Sequence, residues 1–462
     1  MNRTKRRKIK TKVKVKVKVK INKSQFRRKM DKRFLKVLRN KWGGCMIFGG
    51  ETKEINKLFN FDNASSPNML KYIYNITKIG NASSNGFINR IDSSDGNYTF
   101  SSILKSSKNK TSDNLYYEYF IGKHFINKMN LKYSCFIETY NIYLNTNMEA
   151  HKSQFQSNTY NELKFLIELR EDDRYLDEYY CKLSKYLTLL VQNVPNAISL
   201  GDYVRNHLPI SKIEDTNDTV FFDEYMKKED EFSLSLLEIL FQLYCPLYQL
   251  RDNFTHYDFH QDNVLLYNLK KDEYITMRYV YPNNEIIEFE TSFIAKIIDY
   301  GRCFFSYNNM DTLTFIKEKL DTKHCNEDQT LGDDAGFRFI SENDVPLKSV
   351  HYINPRKKNI SHDLRLLYSI DYLYNKMNCY HSILLFELFD NIIYKERFGT
   401  MEILHHNTDD ICNLIDVYSF LRKAITSDKY VELFKKYKKK GIHVGTLTIY
   451  VDDDIHKIMK FE

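Results

Sequence analysis

One stretch of the chain concentrates groups able to manage a phosphate ester: His256-Tyr257-Asp258-Phe259-His260-Gln261-Asp262-Asn263. A long apolar run over 232–250 precedes it, and the apolar residues 264–266 follow it. Thirty-six residues after Asn263, Ile297-Ile298-Asp299-Tyr300-Gly301-Arg302 sets a second carboxylate where an apolar strand runs into a glycine turn. Phosphoryl transfer needs one carboxylate to orient the acceptor hydroxyl and take its proton. It also needs two oxygen ligands to hold Mg²⁺ against the phosphates. Asp258 fits the first role, and Asn263 and Asp299 fit the second. His256 fits a buttress for the loop. A competing arrangement is a metal site made of His256, Asp258 and His260, which would share one face if the segment were a strand. That arrangement leaves Asp299 without a role.

These groups need elements to position them. Short strands are expected at 76–79, 86–91 and 98–105, with a Gly/Ser/Asn-rich turn between the first two. Asp113 is a fair N-cap for a helix reaching about residue 129. Further strands are expected at 135–143 and 187–191. After Pro195 the pattern becomes more helical, and 232–250 reads as a core helix with a possible kink at Pro246. Strands are expected at 264–267, 273–281, 285–293 and 295–298, with Pro282-Asn283-Asn284 as a hairpin turn. Residues 306–360 are polar and irregular. Helices are expected again at 361–376, 380–394 and 408–437.

Taken in order, these motifs resemble the protein-kinase-like superfamily. The spacing from Asp258 to Asn263 matches its catalytic loop, and Asp299-Tyr300-Gly301 resembles D-F-G with Tyr for Phe. The wider context is similar to divergent kinase-like proteins of large DNA viruses. The resemblance covers roughly residues 76–380, although its sharp motifs cover few of them. It implies an α+β, bilobal protein-kinase-like fold, with an antiparallel-sheet N-lobe over 43–194 and a mostly helical C-lobe over 195–462. ATP would lie in the cleft between the lobes.

Ser102-Ile103-Leu104-Lys105 looks like V-A-I-K, so Lys105 would bind the ATP phosphates, with Glu118 pairing to it from the helix. The segment between Gly80 and Gly86 would cover the phosphates. Asp363, in Ser361-His362-Asp363-Leu364-Arg365, would brace the catalytic loop. The expected catalytic set is therefore Asp258, Lys105, Glu118 and His260, with Mg²⁺ on Asn263 and Asp299.

Several features depart from the family pattern. The glycine segment lacks G-x-G-x-x-G spacing, Ile103 replaces the small residue that faces adenine, and there is no A-P-E segment. His260 takes the place of the usual Lys, a form more like that of aminoglycoside and choline kinases. The first expectation is a serine/threonine protein kinase using ATP and Mg²⁺. The alternatives are a small-molecule kinase and a pseudokinase scaffold.

The chain carries +9 overall, but residues 1–41 hold 20 Lys or Arg against one acid, Asp31. That arm is therefore +19, and the remainder is +9 − 19 = −10. A low-complexity arm over 1–42, strictly alternating Lys and Val from Lys12 to Lys20, is expected to be disordered alone; it reads equally as a solubilising or nuclear-targeting tail and as a segment that meets a polyanion such as nucleic acid or an anionic surface. The eight cysteines show no C-x-x-C pairing, which points to reduced thiols and a cytoplasmic setting, with nuclear or virion location as alternatives through the arm. No apolar run is long enough to span a bilayer, and the basic start lacks a signal-peptide core.

Overall fold

The computed structural model describes residues 29–30, 73–80, 86–94, 99–107, 114–130, 132–145, 166–168, 187–208, 219–307, 310–312, 357–377, 384–394 and 410–451. Most of the basic arm, Asp113 and the interior of the segment between Gly80 and Gly86 lie outside these residues. So does most of 306–360.

In chain order the described elements begin with β1 (Lys29–Met30), β2 (Ile73–Ile79), β3 (Gly86–Ser94) and β4 (Thr99–Ser107). Helix α1 (Asn114–Ile121) continues through a π-helical turn at Gly122–Ile126 into α2 (Asn127–Asn130). Then come β5 (Thr139–Asn145), β6 (Leu166–Glu168), β7 (Leu187–Gln192), β8 (Ala197–Ser199) and helix α3 (Leu200–His207). The long helix α4 (Thr219–Gln249) leads to β9 (Phe254–Thr255), β10 (Val264–Asn268), β11 (Glu273–Val280), β12 (Ile286–Thr291), β13 (Phe293–Ile297), β14 (Phe304–Tyr307) and β15 (Met310–Asp311). Helices α5 (Arg365–Lys376), α6 (Phe386–Asp390), α7 (Leu414–Ile425) and α8 (Asp428–Lys436) and strand β16 (Ile442–Tyr450) complete the set.

The chain is an α+β protein. Its largest sheet is antiparallel throughout, in the order β2-β3-β4-β7-β5-β6. In β4 the residues alternate, with Ser102, Leu104 and Ser106 buried and Ile103 and Lys105 less so, as a period of two requires. Lys105 lies opposite Ile88 on one side and Leu189 on the other, which fixes it on an inner strand. Helix α1 is buried almost along its length and packs on β5 and β7. Just beyond it, a Cβ on Gly122 would meet Thr139 Oγ1 at 2.0 Å, so only glycine allows this approach of helix to strand.

In α4 the polar Gln242 is buried because its amide spans two backbone groups of β13: Nε2 donates to Phe293 O (3.2 Å) and Oε1 accepts from Ala295 N (3.1 Å). Pro246 sits one turn from the helix end, where it breaks little. Strand β10 lies between β8 and β13, both antiparallel to it. Strands β11 and β12 form the expected hairpin and join β16, which runs parallel to β11, and β1.

Two expected helices differ in the structure, and further elements appear. The helix expected over 408–437 is two helices, because Thr426 ends α7 and Ser427 caps α8 by accepting from Tyr430 N (3.1 Å). Within the described part of 380–394, only Phe386–Asp390 is helical, and Ile392 then bridges to Ile411. Strands β8 and β16 and helix α3 were not anticipated. No helix among the described residues is long and apolar enough to cross a membrane.

Candidate active site

Three elements, two consecutive in the chain and one nearly two hundred residues on, meet at one ammonium group. From β4, Lys105 Nζ donates to Glu118 Oε2 on α1 (2.7 Å) and to Asp299 Oδ1 after β13 (2.9 Å). Glu118 is nearly closed off, its side chain 3% exposed, whereas Asp299 is 39% exposed and opens to solvent. Burial alone would strip the Lys105 proton, but the two carboxylates outweigh it and hold the ammonium above the ordinary lysine range. Burial raises Glu118 to about 7 against the pull of Lys105, while Asp299 is drawn below its usual value by Lys105 despite desolvation. The wetter carboxylate carries its charge readily, while burial works against charge on the drier one.

Asp299 adopts a left-handed backbone, φ +67°, uncommon for a residue other than glycine. Its neighbour holds the turn. Tyr300 is buried, its hydroxyl donating to Ile297 O (2.7 Å) and accepting from Ile137 N (3.0 Å).

The 256–263 loop is fastened from below. Asp363 is fully buried, and its carboxylate accepts from His256 N (2.9 Å) and Tyr257 N (3.1 Å). These bonds hold Tyr257 at φ +61°. Burial raises Asp363 to about 7, against the two amides that favour its charge. His256 is also fully buried. Its Nε2 lies 2.9 Å from Ile298 O, an acceptor only, so Nε2 carries the proton, and Nδ1 accepts from Asp258 N (3.3 Å). Desolvation lowers His256 to about 4. With both ring nitrogens occupied, and with β9 ending at Thr255, the metal triad of His256, Asp258 and His260 is not formed.

Asn263 Nδ2 donates to Asp258 O (2.8 Å), and Ile298 N donates to Asn263 O (3.1 Å). The two backbone segments bearing Asp258, Asn263 and Asp299 are therefore stitched together. His260 caps the short turn Gln261–Asn263 through Nδ1, while its Nε2 stays 3.8 Å from Asp258 Oδ1, too far for a hydrogen bond. Desolvation lowers its basicity, and Arg365 adds to that effect.

No protein-family model matches the chain, and no curated protein matches it.

Two further side chains complete the site. Asp258 Oδ1 accepts from Arg365 Nη1 (2.7 Å), and Asp258 Oδ2 lies 3.3 Å from Arg302 Nη1. Desolvation opposes the charge on Asp258, but the two guanidinium groups overcome it and hold the carboxyl well below its usual range. Both arginines fall inside motifs quoted above, but nothing in their spacing assigned them to Asp258.

Asn263 and Asp299 suit Mg²⁺ by chemistry. The Asn263 amide nitrogen is engaged, leaving its oxygen as the remaining polar atom, and Asp299 adds a partly exposed carboxylate. Such a pair of hard oxygens fits an ion that keeps water and phosphate as its other ligands. Among the described residues no group of three or more His, Cys, Asp or Glu could hold a metal by itself. Gly80, at φ +61°, closes β2, and Gly86 opens β3.

Proposed function

We propose that the chain is a phosphotransferase using ATP and Mg²⁺, built as a bilobal protein-kinase-like fold with its cleft between the large sheet and the helical part. The observation that carries this reading is the Lys105 ammonium shared between Glu118 and Asp299. An ammonium oriented by a buried carboxylate, beside an exposed one suited to a metal ion, matches the demands of a triphosphate. Lys105 would hold phosphate oxygens, and Glu118 would aim Lys105. Asn263 and Asp299 would hold Mg²⁺, which supplies charge neutralisation at the phosphates.

Asp258 stays ionised through its two arginines, so it acts chiefly by orienting the acceptor hydroxyl. In a loose transition state that hydroxyl gives up its proton late, so a weakly basic carboxylate suffices. His256 and Asp363 keep the loop in shape.

A serine or threonine of a protein is the first acceptor to test. A small-molecule hydroxyl is the second reading, favoured by neutral His260 beside Asp258 in place of a lysine ammonium. The basic arm would add an interaction with a polyanion, tested by whether salt-sensitive nucleic-acid binding survives removal of residues 1–41.

The deciding experiment incubates the protein with labelled Mg-ATP, offering a protein mixture in one arm and hydroxylated metabolites and aminoglycosides in the other. Asp258→Asn should reduce labelling by about 10²-fold or more. Equal labelling by wild type and variant would reject the mechanism.

A further inference from the structure

A cavity of about 1020 Å³ opens between α3, the first half of α4 and the segment that follows α8. None of the residues of the proposed cleft lines it. Helix α3 presents Tyr203 to this cavity, while a Cβ on Gly201 would strike Asp262 and Gln261 of the 256–263 loop. The two sites thus flank one helix without sharing a residue.

The cavity walls are aromatic. Tyr203 stacks on Phe232 with ring centroids 5.7 Å apart and meets Phe293 edge-on at 4.9 Å. Phe434 and Tyr437 add two more rings. Against this wall lie two carboxylates. Glu238 is 2% exposed; Oε1 accepts from Tyr430 Oη (3.1 Å), while Oε2 has no hydrogen-bond partner. Glu290, from β12, likewise has a buried Oε2 without a partner. Burial and the Glu290 charge push Glu238 up to about 8, against Lys439 and the Tyr430 and Thr291 hydroxyls. A buried carboxylate oxygen lacking a donor is costly, and the cost ends when a donor arrives. A protonated amine supplies both donors and the opposite charge, and aromatic faces favour the same ion.

The rim has the reverse sign. Lys227, Lys228 and Lys436 and the run Lys438-Lys439-Lys440 outnumber Glu224 and Glu231. Glu224 takes up Lys228 (2.8 Å), and Asp230 takes up Lys436 (3.4 Å), so a positive excess remains. A simple cation would be repelled on entry, and a simple anion would leave the buried Glu238 and Glu290 oxygens without donors. A molecule with charge of both signs satisfies each end, and lysine ammonium groups are suited to phosphate as point charges.

We propose that this cavity binds a compact zwitterion, a primary amine joined by a short linker to a phosphate. The amine meets Glu238 and Glu290, and the phosphate meets the lysines after α8. This site is independent of the proposed activity.

The test is calorimetric titration of the full chain with three probes: O-phosphoethanolamine, ethanolamine and inorganic phosphate. The zwitterion should bind saturably and about 10-fold or more tighter than either half. Glu238→Gln, which keeps shape and loses charge, should weaken it about 10-fold at unchanged melting temperature, and Glu290→Gln serves if that variant unfolds. Vesicles with and without phosphatidylethanolamine distinguish a lipid headgroup from a free metabolite as the source; retention on the former alone would assign the headgroup. Absence of binding by both free zwitterion and vesicle would overturn the proposal. So would equal affinity for phosphate alone or undiminished binding in both glutamate variants.

Discussion

Arg365 places a guanidinium nitrogen 2.7 Å from Asp258 Oδ1, across 107 residues of sequence. With Arg302 on the other oxygen, the central carboxylate of the site is held in its ionised form. A carboxylate so held loses no function on mild acidification. In Arg365→Gln the Asp258 pKa should rise toward the ordinary value near 4. The acid limb of the rate profile should then move upward toward about pH 4, so that activity falls between about pH 5 and pH 4, with the plateau about 10-fold lower. Phosphotransfer measured from pH 4 to 8 in both proteins checks this. An acid limb that stays where it is would mean Arg365 does not set the charge of Asp258.

Lys105 and Glu118 form an ion pair with one nearly closed-off partner, and their contributions should not add. Removing Lys105 alone leaves Glu118 buried without its partner, at a cost of about 3 kcal/mol, reduced by how readily Glu118 takes up a proton. Lys105→Met should therefore be more destabilised than the double variant Lys105→Met, Glu118→Gln. The coupling energy from chemical denaturation should be about 1–3 kcal/mol. Mg-ATP should raise the melting temperature of wild type and fail to do so in every variant lacking Lys105. Additive losses in the cycle would refute the pairing.

Much of this site was legible because its spacing is local. The step from Asp258 to Asn263 belongs to one loop, and Asp299 leaves one strand, so residue order alone proposed them together. Lys105 and Glu118 followed from the strand and helix that must carry them. What was hidden depends on long-range closure. Arg302 and Arg365 reach Asp258 only because the turn after β13 and the start of α5 converge on it. The left-handed backbone of Asp299 has no glycine to announce it. Strand β16 carries the alternation of Thr446, Leu447, Thr448 and Ile449, but its parallel partner β11 lies far upstream, where no local signal names it. Helix α3 was signalled and overlooked: Ser199-Leu200-Gly201-Asp202 has capping-box spacing, and the Ser199 hydroxyl accepts from Asp202 N.

The buried His256 should make the fold acid-sensitive in a defined window. Its folded pKa, about 4, lies below the unfolded value of 6.5, so only the unfolded chain binds this proton between those pH values. Stability from His256 is therefore complete above about pH 6.5 and is lost as pH falls toward 4, by roughly 3 kcal/mol. Glu118 and Asp363, raised to about 7, act in the opposite sense. The difference between wild type and His256→Gln isolates the histidine. Glutamine can still donate to Ile298 O and accept from Asp258 N without titrating. Denaturation at pH 7 and pH 4.5 should show the gap between the two proteins narrowing or reversing at the lower pH. A gap independent of pH would exclude a neutral, buried His256.

Tyr300 occupies the position where the resembled motif has Phe, and its hydroxyl has a structural task that Phe cannot perform. It links Ile297 O at 2.7 Å to Ile137 N at 3.0 Å, joining the strand before Asp299 to the segment before β5. Ile137 and Ile297 are both buried and lie at the parallel bridge between Phe136 and Ile297, so Tyr300→Phe would remove the hydroxyl that reinforces this contact. The expected loss is about 1 kcal/mol, the net worth of one buried hydrogen bond. Because Tyr300 follows Asp299 directly, the variant should also loosen the left-handed turn and weaken Mg-ATP stabilisation more than it weakens nucleotide binding without Mg²⁺. Urea denaturation and Mg²⁺-dependent thermal shifts on the same preparation test both parts. A Tyr300→Phe protein as stable as wild type would show that this hydroxyl bridge contributes nothing, and the turn would then owe its shape to Gly301 and Lys105 instead.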